Sequence, residues 1–354
     1  MLLCDENDCT GCMACVNICP KNSIQIIENE EGFKEPKIDE EKCIKCKRCT
    51  KTCPILNMPH KEKASDKVYA IWSKDKKIRF SSTSGGFFTE LSKYILKHKG
   101  IIYGAVFDEK FRVIHKGIEH EEELKLMRGS KYVQSDISKC FKEVKEKLEE
   151  DRLVLFTGTA CQIAALNSFI GQEKENLITV DLLCHGVPSP KIFEEYKKYI
   201  EKKYNSKIED IKFRYKKPGW EVFSMKVDFE SGKTYIESTE KDPYIRGFLR
   251  ELYLRPACSK CHFTNLNRQG DFTCADFWGY QSSTIEDAND DKGISMVMVN
   301  SFKAENIFRD IKENLNCYVR DIQDAINGNR CLSESYPASE QRDEFWKDYN
   351  KERI

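Results

Sequence analysis

Two cysteine runs of identical spacing constrain the fold of this chain more than any other feature. Cys9, Cys12, Cys15 and Cys19 precede Pro20, and Cys43, Cys46, Cys49 and Cys53 precede Pro54. Short, equal spacings let three thiolates of a run wrap a single centre while the amide groups between them turn inward. The fourth cysteine, just before the proline, reaches the centre of the other run. Ser23 to Ile27 and Phe33 to Ile38 read as two short strands joined by a polar turn at Gly32, a hairpin between the runs.

Pairs of C-x2-C also bind zinc, but those sites take four thiolates from two pairs. A third cysteine at x2 followed by x3-C-P has no role there. The spacing is that of bacterial two-cluster ferredoxins. It predicts two [4Fe–4S] clusters within residues 1–60, an α+β ferredoxin-like module. One cluster falls to Cys9, Cys12, Cys15 and Cys53, the other to Cys43, Cys46, Cys49 and Cys19. Cys4 lies outside the pattern and reads as incidental.

Met1-Leu2-Leu3 runs straight into Cys4, Asp5 and Glu6, with neither the basic start nor the apolar stretch of a signal peptide. No segment reads as a membrane span. The expected location is therefore the cytoplasm, where thiols stay reduced, so 17 cysteines point to metal. The 58 basic and 58 acidic residues balance, and nothing global points to nucleic acid or an anionic membrane.

At 354 residues the chain is long enough for more than one domain. His60 to Lys67 reads as a polar, Lys-rich linker. Beyond it, strands at Val68–Trp72, Ile101–Phe107, Leu153–Thr157 and Leu177–Leu183 alternate with helices at Gly85–Lys97, Ser138–Glu150, Cys161–Ile170 and Pro190–Lys203. This predicts an α/β domain. Antiparallel strands at Ile211–Tyr215 and Phe223–Ile236, the latter a hairpin at Ser231-Gly232, open a mixed α+β C-terminal part. It continues with a helix at Pro243–Leu254, a strand at Ser295–Asn300, a helix at Ala304–Asn314 and a strand at Cys317–Arg320.

Four more cysteines stand in short motifs. Cys161 follows one buried strand in Gly158-Thr159-Ala160-Cys161-Gln162, and Cys184 follows the next in Leu183-Cys184-His185-Gly186-Val187-Pro188. Ligands of open α/β sheets gather at the carboxyl ends of strands. Cys258 and Cys261 add a C-x2-C pair, which by spacing alone reads as a metal or redox pair.

These motifs carry a resemblance. Residues 68 to 345 resemble the beta subunits of coenzyme F420-reducing hydrogenase and F420-linked dehydrogenases. The match runs through Ser82-Thr83-Ser84-Gly85-Gly86-Phe87-Phe88, Gly129-Ser130-Lys131-Tyr132-Val133-Gln134-Ser135 and Gly158 to Ala164. It continues through Cys184 to Ser189, Cys258-Ser259-Lys260-Cys261-His262-Phe263 and Ala275-Asp276-Phe277-Trp278-Gly279. Residues 68–150 would be the N-terminal part of the flavin domain and 151–345 its C-terminal part. The resemblance implies bound FAD and a third [4Fe–4S] cluster on Cys161, Cys184, Cys258 and Cys261. Ala160 departs from the family, where proline is common, and so does Cys274, where a small residue is common. Cys4, Cys140, Cys274, Cys317 and Cys331 then remain, mostly as small buried hydrophobes.

The resemblance makes Ser84, Gly85, Gly86, Ser130, Lys131, Tyr132, Gly158, Thr159 and Gln162 candidate flavin contacts. Ser84-Gly85-Gly86 at a helix start would seat a pyrophosphate on open amides; the same residues would serve as an N-cap and tight turn. Lys131 would place positive charge beside the flavin's N1–C2 edge, and Tyr132 would stack or pack. His185 either hydrogen-bonds a cluster sulfur or caps a turn. Asp271 and Asp276 read as local ion pairs or orienting groups. Lys131 and His185 are the candidate catalytic residues. The expected function is an FAD and [4Fe–4S] oxidoreductase that passes electrons between clusters and FAD, which exchanges a hydride with an organic or deazaflavin partner. An external carrier such as ferredoxin, or a larger redox complex, would complete the circuit. The alternative is an electron-transfer subunit with no substrate of its own.

Overall fold

The computed structural model describes residues 3–59, 67–280 and 290–351. The linker expected at His60 to Lys67 lies outside these residues except for Lys67. Each cysteine run ends in a single helical turn, α1 (Ala14–Ile18) and α2 (Arg48–Thr52), capped by the cysteine before the proline. Proline has no N–H to carry the helix on. β1 (Ile24–Glu28) and β2 (Lys34–Ile38) pair antiparallel between the runs, with Ile24 opposite Ile38. Their turn holds Gly32 at φ +84°, where a Cβ would stand 2.2 Å from that of Lys191, so glycine lets the hairpin dock on the body.

From β3 (Lys67–Ser73) the chain passes through α3 (Lys76–Ser81) and α4 (Phe87–Lys97) to a hairpin, β4 (Ile101–Phe107) and β5 (Val113–Ile118). After α5 (Leu124–Met127) come α6 (Cys140–Glu149), β6 (Val154–Thr159), α7 (Ala160–Ile170), β7 (Leu177–Leu182) and α8 (Pro190–Tyr204). β8 (Ile208–Tyr215), β9 (Ser224–Phe229), β10 (Thr234–Ser238) and α9 (Pro243–Phe248) follow. The last elements are β11 (Phe272–Asp276), β12 (Ser295–Val299), α10 (Phe302–Ile311), β13 (Leu315–Asp321), α11 (Ile322–Gly328) and α12 (Arg342–Lys351).

Eight strands form one mixed sheet in the order β13-β3-β12-β11-β7-β6-β4-β5. β4, β6, β7 and β11 are parallel at its centre, and the outer strands are antiparallel to their neighbours. Alternate residues face opposite sides. Ile102, Val106 and Leu155 pack with α4 and α10, which present Phe87, Leu91, Ile95 and Ala304, Ile307, Phe308, Ile311 at helical spacing. Ile101, Tyr103, Val154 and Phe156 pack on the other side with α6 and α7. Met13 and Ala14 of the first cysteine run join that second core.

The fold is thus a mixed α/β protein with a small N-terminal cluster module and a large mixed sheet. The expected C-terminal α+β part is not separate, because β11, β12 and β13 pair into the sheet begun by β3. That pairing joins segments far apart in sequence, which local pattern does not reveal. The expected boundary at 150/151 falls between α6 and β6, and β6 pairs with β4 from the part before it. What stands apart is the three-stranded sheet β10-β9-β8, packed with α8 and α9. The helix expected over Pro243–Leu254 stops at Phe248; Glu251 turns to φ +55°, and the Leu252 amide bonds the Gly247 carbonyl. Among the described residues no helix is long and apolar enough to cross a membrane.

Candidate functional site

β3, β6, β7 and β11 end at the same edge of the sheet. The segments that follow or close them, with Arg128 to Ser135, enclose a cavity of ≈ 320 Å³. Ser84, Gly86, Ser130, Lys131, Tyr132, Gly158, Thr159, Gln162, Cys161, Cys184 and His185 all line it. Gly85 does not. A Cβ there would meet the Ile71 carbonyl at 2.1 Å, and its amide donates to Ser295 Oγ at 3.0 Å. Its role is close packing of the loop on β3, so its N–H is not open to an anion. Gly86, at φ +99°, turns the chain into α4.

The candidate residues differ in how free they are. Ser84 Oγ donates to the Ile294 carbonyl at 2.6 Å, and the Ser130 amide donates to Thr83 Oγ1 at 3.0 Å. Thr159 and Gln162 form a capping box on α7, with Gln162 Oε1 accepting the Thr159 amide. Tyr132 stacks on Phe248 with ring centroids 4.8 Å apart. Lys131 reaches the carbonyls of Met127, Arg128 and Gly129, at 3.2–3.4 Å, and its ammonium lies 5.7 Å from the centre of the Phe107 ring. Burial lowers its ammonium to about 8, against the pull of Asp210. Among the described residues it has no carboxylate at ion-pair distance.

His185 is held by the side of the ring that faces away from its own backbone. Its Nε2 faces Glu251 Oε1 at 3.0 Å, its ring lies 4.0 Å from Tyr336, and burial lowers it to about 4. Asp271 is structural: it accepts from the Thr179 amide and hydroxyl and from Ser301. Asp276 lines the cavity and holds Trp220 Nε1 at 2.7 Å and Arg214 at 3.0 Å.

The sequence reading does not single out His115. Its Nε2 lies 3.1 Å from the Thr157 carbonyl, which only accepts, so that nitrogen carries the proton. Nδ1 then accepts from Ser135 Oγ at 2.5 Å. Burial lowers His115 to about 4 and keeps the ring neutral. Both residues line the cavity. The missing signal is β5, whose Val113-Ile-His-Lys-Gly-Ile lacks clean alternation.

The cysteines gather in three groups. Cys19, Cys43, Cys46 and Cys49 line one small cavity. Burial pushes the Cys15 thiol well up, and charge on the nearby Cys12, Cys9 and Cys53 adds to it. Cys4 joins this group: its Sγ hydrogen-bonds Cys53 and Cys9, which pushes its thiol far up. Burial raises Cys161 to about 12, Cys258 to about 11 and Cys184 upward, with neighbouring thiolates adding to the shift at these three. Burial also raises Cys261, against the Phe263 amide and Arg268. Cys331 is buried beside this third group, whereas Cys140 and Cys317 pack in cores and Cys274 lines the cavity.

Backbone amides point at many of these sulfurs: Ser23 at Cys19 (3.3 Å), Val187 at Cys258 (3.4 Å), Ala14 at Cys12 and Phe263 at Cys261. Buried thiols with inward amides suit iron–sulfur cubes, whose iron deprotonates the ligand and whose sulfides take the N–H bonds. Among the described residues, no three His, Cys, Asp or Glu side chains close to the spacing of a single bound ion. The groups are also contiguous. Charge on Cys161 reaches Cys12, and Ile55, beyond the second run, packs against the same Ala160, Ala164 and Phe263 as Cys161 and Cys261 do. Arg255, almost fully buried, ties the module to the body by donating to the Cys9 carbonyl at 2.6 Å and the Lys34 carbonyl at 3.2 Å.

The class defined by these groups is an iron–sulfur protein built on a mixed α/β sheet. A 4Fe-4S dicluster domain model matches residues 8–56. Models for coenzyme F420 hydrogenase/dehydrogenase, beta subunit, match residues 68–142 (N-term) and 151–325 (C terminus). The chain belongs to the coenzyme F420 hydrogenase/dehydrogenase beta subunit family, with a 4Fe-4S dicluster domain at its N-terminus. It is 26% identical over 350 residues to an uncharacterized protein of Methanocaldococcus jannaschii, covering 86% of this chain and 87% of that one. It also aligns with a chain in the solved F420-reducing [NiFe] hydrogenase complex from Methanosarcina barkeri. There the identity is 19% and the TM-score 0.48, over 83% of this chain and 92% of that one.

Proposed function

We propose that the chain carries single electrons through three [4Fe–4S] clusters to FAD held in the sheet-edge cavity. The hydride partner is an organic substrate, with a deazaflavin such as coenzyme F420 as a candidate. The observation that carries this reading is contiguity: the first cysteine group lies beside the third, and two members of the third, Cys161 and Cys184, line the cavity. Cys9, Cys12, Cys15 and Cys53 would hold the first cluster, and Cys19, Cys43, Cys46 and Cys49 the second. Cys161, Cys184, Cys258 and Cys261 would hold the third. FAD, when bound, supplies the exchange between one-electron and two-electron chemistry.

The cavity residues fit an anionic, aromatic cofactor. Lys131 presents an unpaired ammonium, Gly86 leaves backbone open at the mouth of α4, and Tyr132 gives an aromatic wall. Ser135, whose hydroxyl donates its hydrogen bond to His115, keeps its oxygen lone pairs for a donor in the cavity. Residues 68–150 and 151–345 contribute jointly, while 1–60 form the electron entry. Release of the bound cofactor by heat or acid, followed by chromatography, tests the reading: FAD supports it, and FMN or no flavin after anaerobic reconstitution with FAD overturns it. A second reading, a subunit of a larger redox complex with no substrate of its own, is favoured by the beta-subunit family itself. Turnover of a hydride donor by the isolated chain would exclude it.

A further inference from the structure

Residues 42–59 hold Lys42, Lys45, Lys47, Arg48 and Lys51 and no acidic residue. Lys42 pairs with Asp39 at 2.9 Å. Lys45, Lys47, Arg48 and Lys51 are exposed and form no ion pair among the described residues. Lys47 and Arg48 line the same cavity as Cys19, Cys43, Cys46 and Cys49. Cys46 is itself exposed, and Ile44 beside it is 56% exposed. An apolar centre with unpaired cations around it, directly over a cysteine group, does nothing for folding, since like charges repel. The first run is the reverse: residues 3–20 hold Asp5, Glu6 and Asp8 and no basic residue.

The geometry points to the second-run face as the docking site of an acidic one-electron carrier protein. The inference rests on the relay described under Proposed function and adds where the relay opens and to what kind of partner. One electron leaves the reduced carrier, which is oxidised, and reduces the cluster of Cys19, Cys43, Cys46 and Cys49 by one; no atom is transferred. Opposite charge steers the carrier to this face, and the acidic first run turns it away. An anionic lipid surface would accept the same cations, but here they surround the exposed cysteine of a redox site, which favours a carrier.

The test is anaerobic stopped-flow reduction of the full chain by a reduced acidic ferredoxin across a range of ionic strength. The rate should fall steeply with salt. Arg48→Glu with Lys51→Glu should slow it about tenfold or more at low salt. Iron content and reduction by dithionite should stay unchanged, and Lys198→Glu with Lys202→Glu on α8 should leave the ferredoxin rate as it was. If the reversal loses iron, Arg48→Gln with Lys51→Gln decides instead: slower transfer supports the face, and an unchanged rate overturns it. A salt-insensitive rate, or a normal rate in the charge-reversed chain, overturns it too. So does loss of binding to anionic vesicles with a normal carrier rate, which would give the face to a membrane. Cofactor content, measured on the same samples, tests the cavity reading separately.

Discussion

In the first cysteine run the residues between ligands include Gly11, Met13 and Ala14; in the second, the same positions hold Lys45, Lys47 and Arg48. The backbones agree. Met13 and Lys47 are both N-caps at φ 60°, and Gly11 and Lys45 both have positive φ, +65° and +54°. The surroundings do not agree. Met13 and Ala14 are 2% and 0% exposed in a core shared with α6 and α7, whereas Lys47 and Arg48 face outward. The cysteine spacing therefore dictates the loop, and the residues not used as ligands decide which run meets the body and which faces outward.

The comparison breaks most severely if Ala14 becomes Arg. An unpaired charge would enter the core between module and body, at a cost of about 3–5 kcal/mol. The mirrored change, Arg48→Ala, should alter stability by less than about 0.5 kcal/mol. Anaerobic thermal unfolding of the two variants checks both. Equal effects would mean the runs are not differently placed.

Arg255→Ala removes the guanidinium that binds the Cys9 and Lys34 carbonyls and faces Glu35. The expected loss is about 3 kcal/mol, as for buried hydrogen bonds from a charged group. Limited proteolysis should then release residues 1–60 sooner than in the parent.

Gly11→Ala is the next smaller change. A Cβ there would stand 2.5 Å from Gln134 Nε2 and 2.8 Å from Arg255 Nη1, at a φ that disfavours L residues. The cost should be about 1–3 kcal/mol. Lys45→Gly, at the matching position, should instead stabilise by up to about 1 kcal/mol, because it relieves the left-handed strain. Chemical denaturation of the reconstituted proteins reads both signs.

The smallest effect is a pH dependence. Lys131 titrates at about 8 in the cofactor-free folded chain, below its ordinary 10.5. The unfolded chain then binds more protons between these values, so this group makes stability rise with pH across that window. Lys131→Met should remove that rise, with its largest stabilisation below pH 8. Denaturant midpoints measured from pH 7 to 10.5 check this; parallel curves for parent and variant would contradict it.

Much of this organisation is legible in the sequence because it is local. Ligand spacing in each run, the Gly32 turn and the apolar stripes of α4 and α8 all lie within a few residues. The motifs after β6 and β7 are visible for the same reason. What escapes is non-local or irregular. β11 is five residues, Phe272-Thr-Cys-Ala-Asp276, whose identity as a strand comes from pairing with β7 and β12. His115 lies on β5 with no motif around it, and Gly85 passes for an anion loop until the Ile71 carbonyl is seen against it. Cys4 shows the same limit. Its place by Cys9 and Cys53 follows from how the chain start folds back, not from spacing.

The central claim is that three thiol groups, not two, bind iron on the way to the cavity. The most direct measurement is iron and acid-labile sulfide per chain after anaerobic purification, in the parent and in Cys258→Ser. Three cubes predict about twelve irons in the parent, falling toward about eight in the variant with the first two groups intact. About eight irons in both proteins would contradict the claim and leave the third group as an ordinary thiol core.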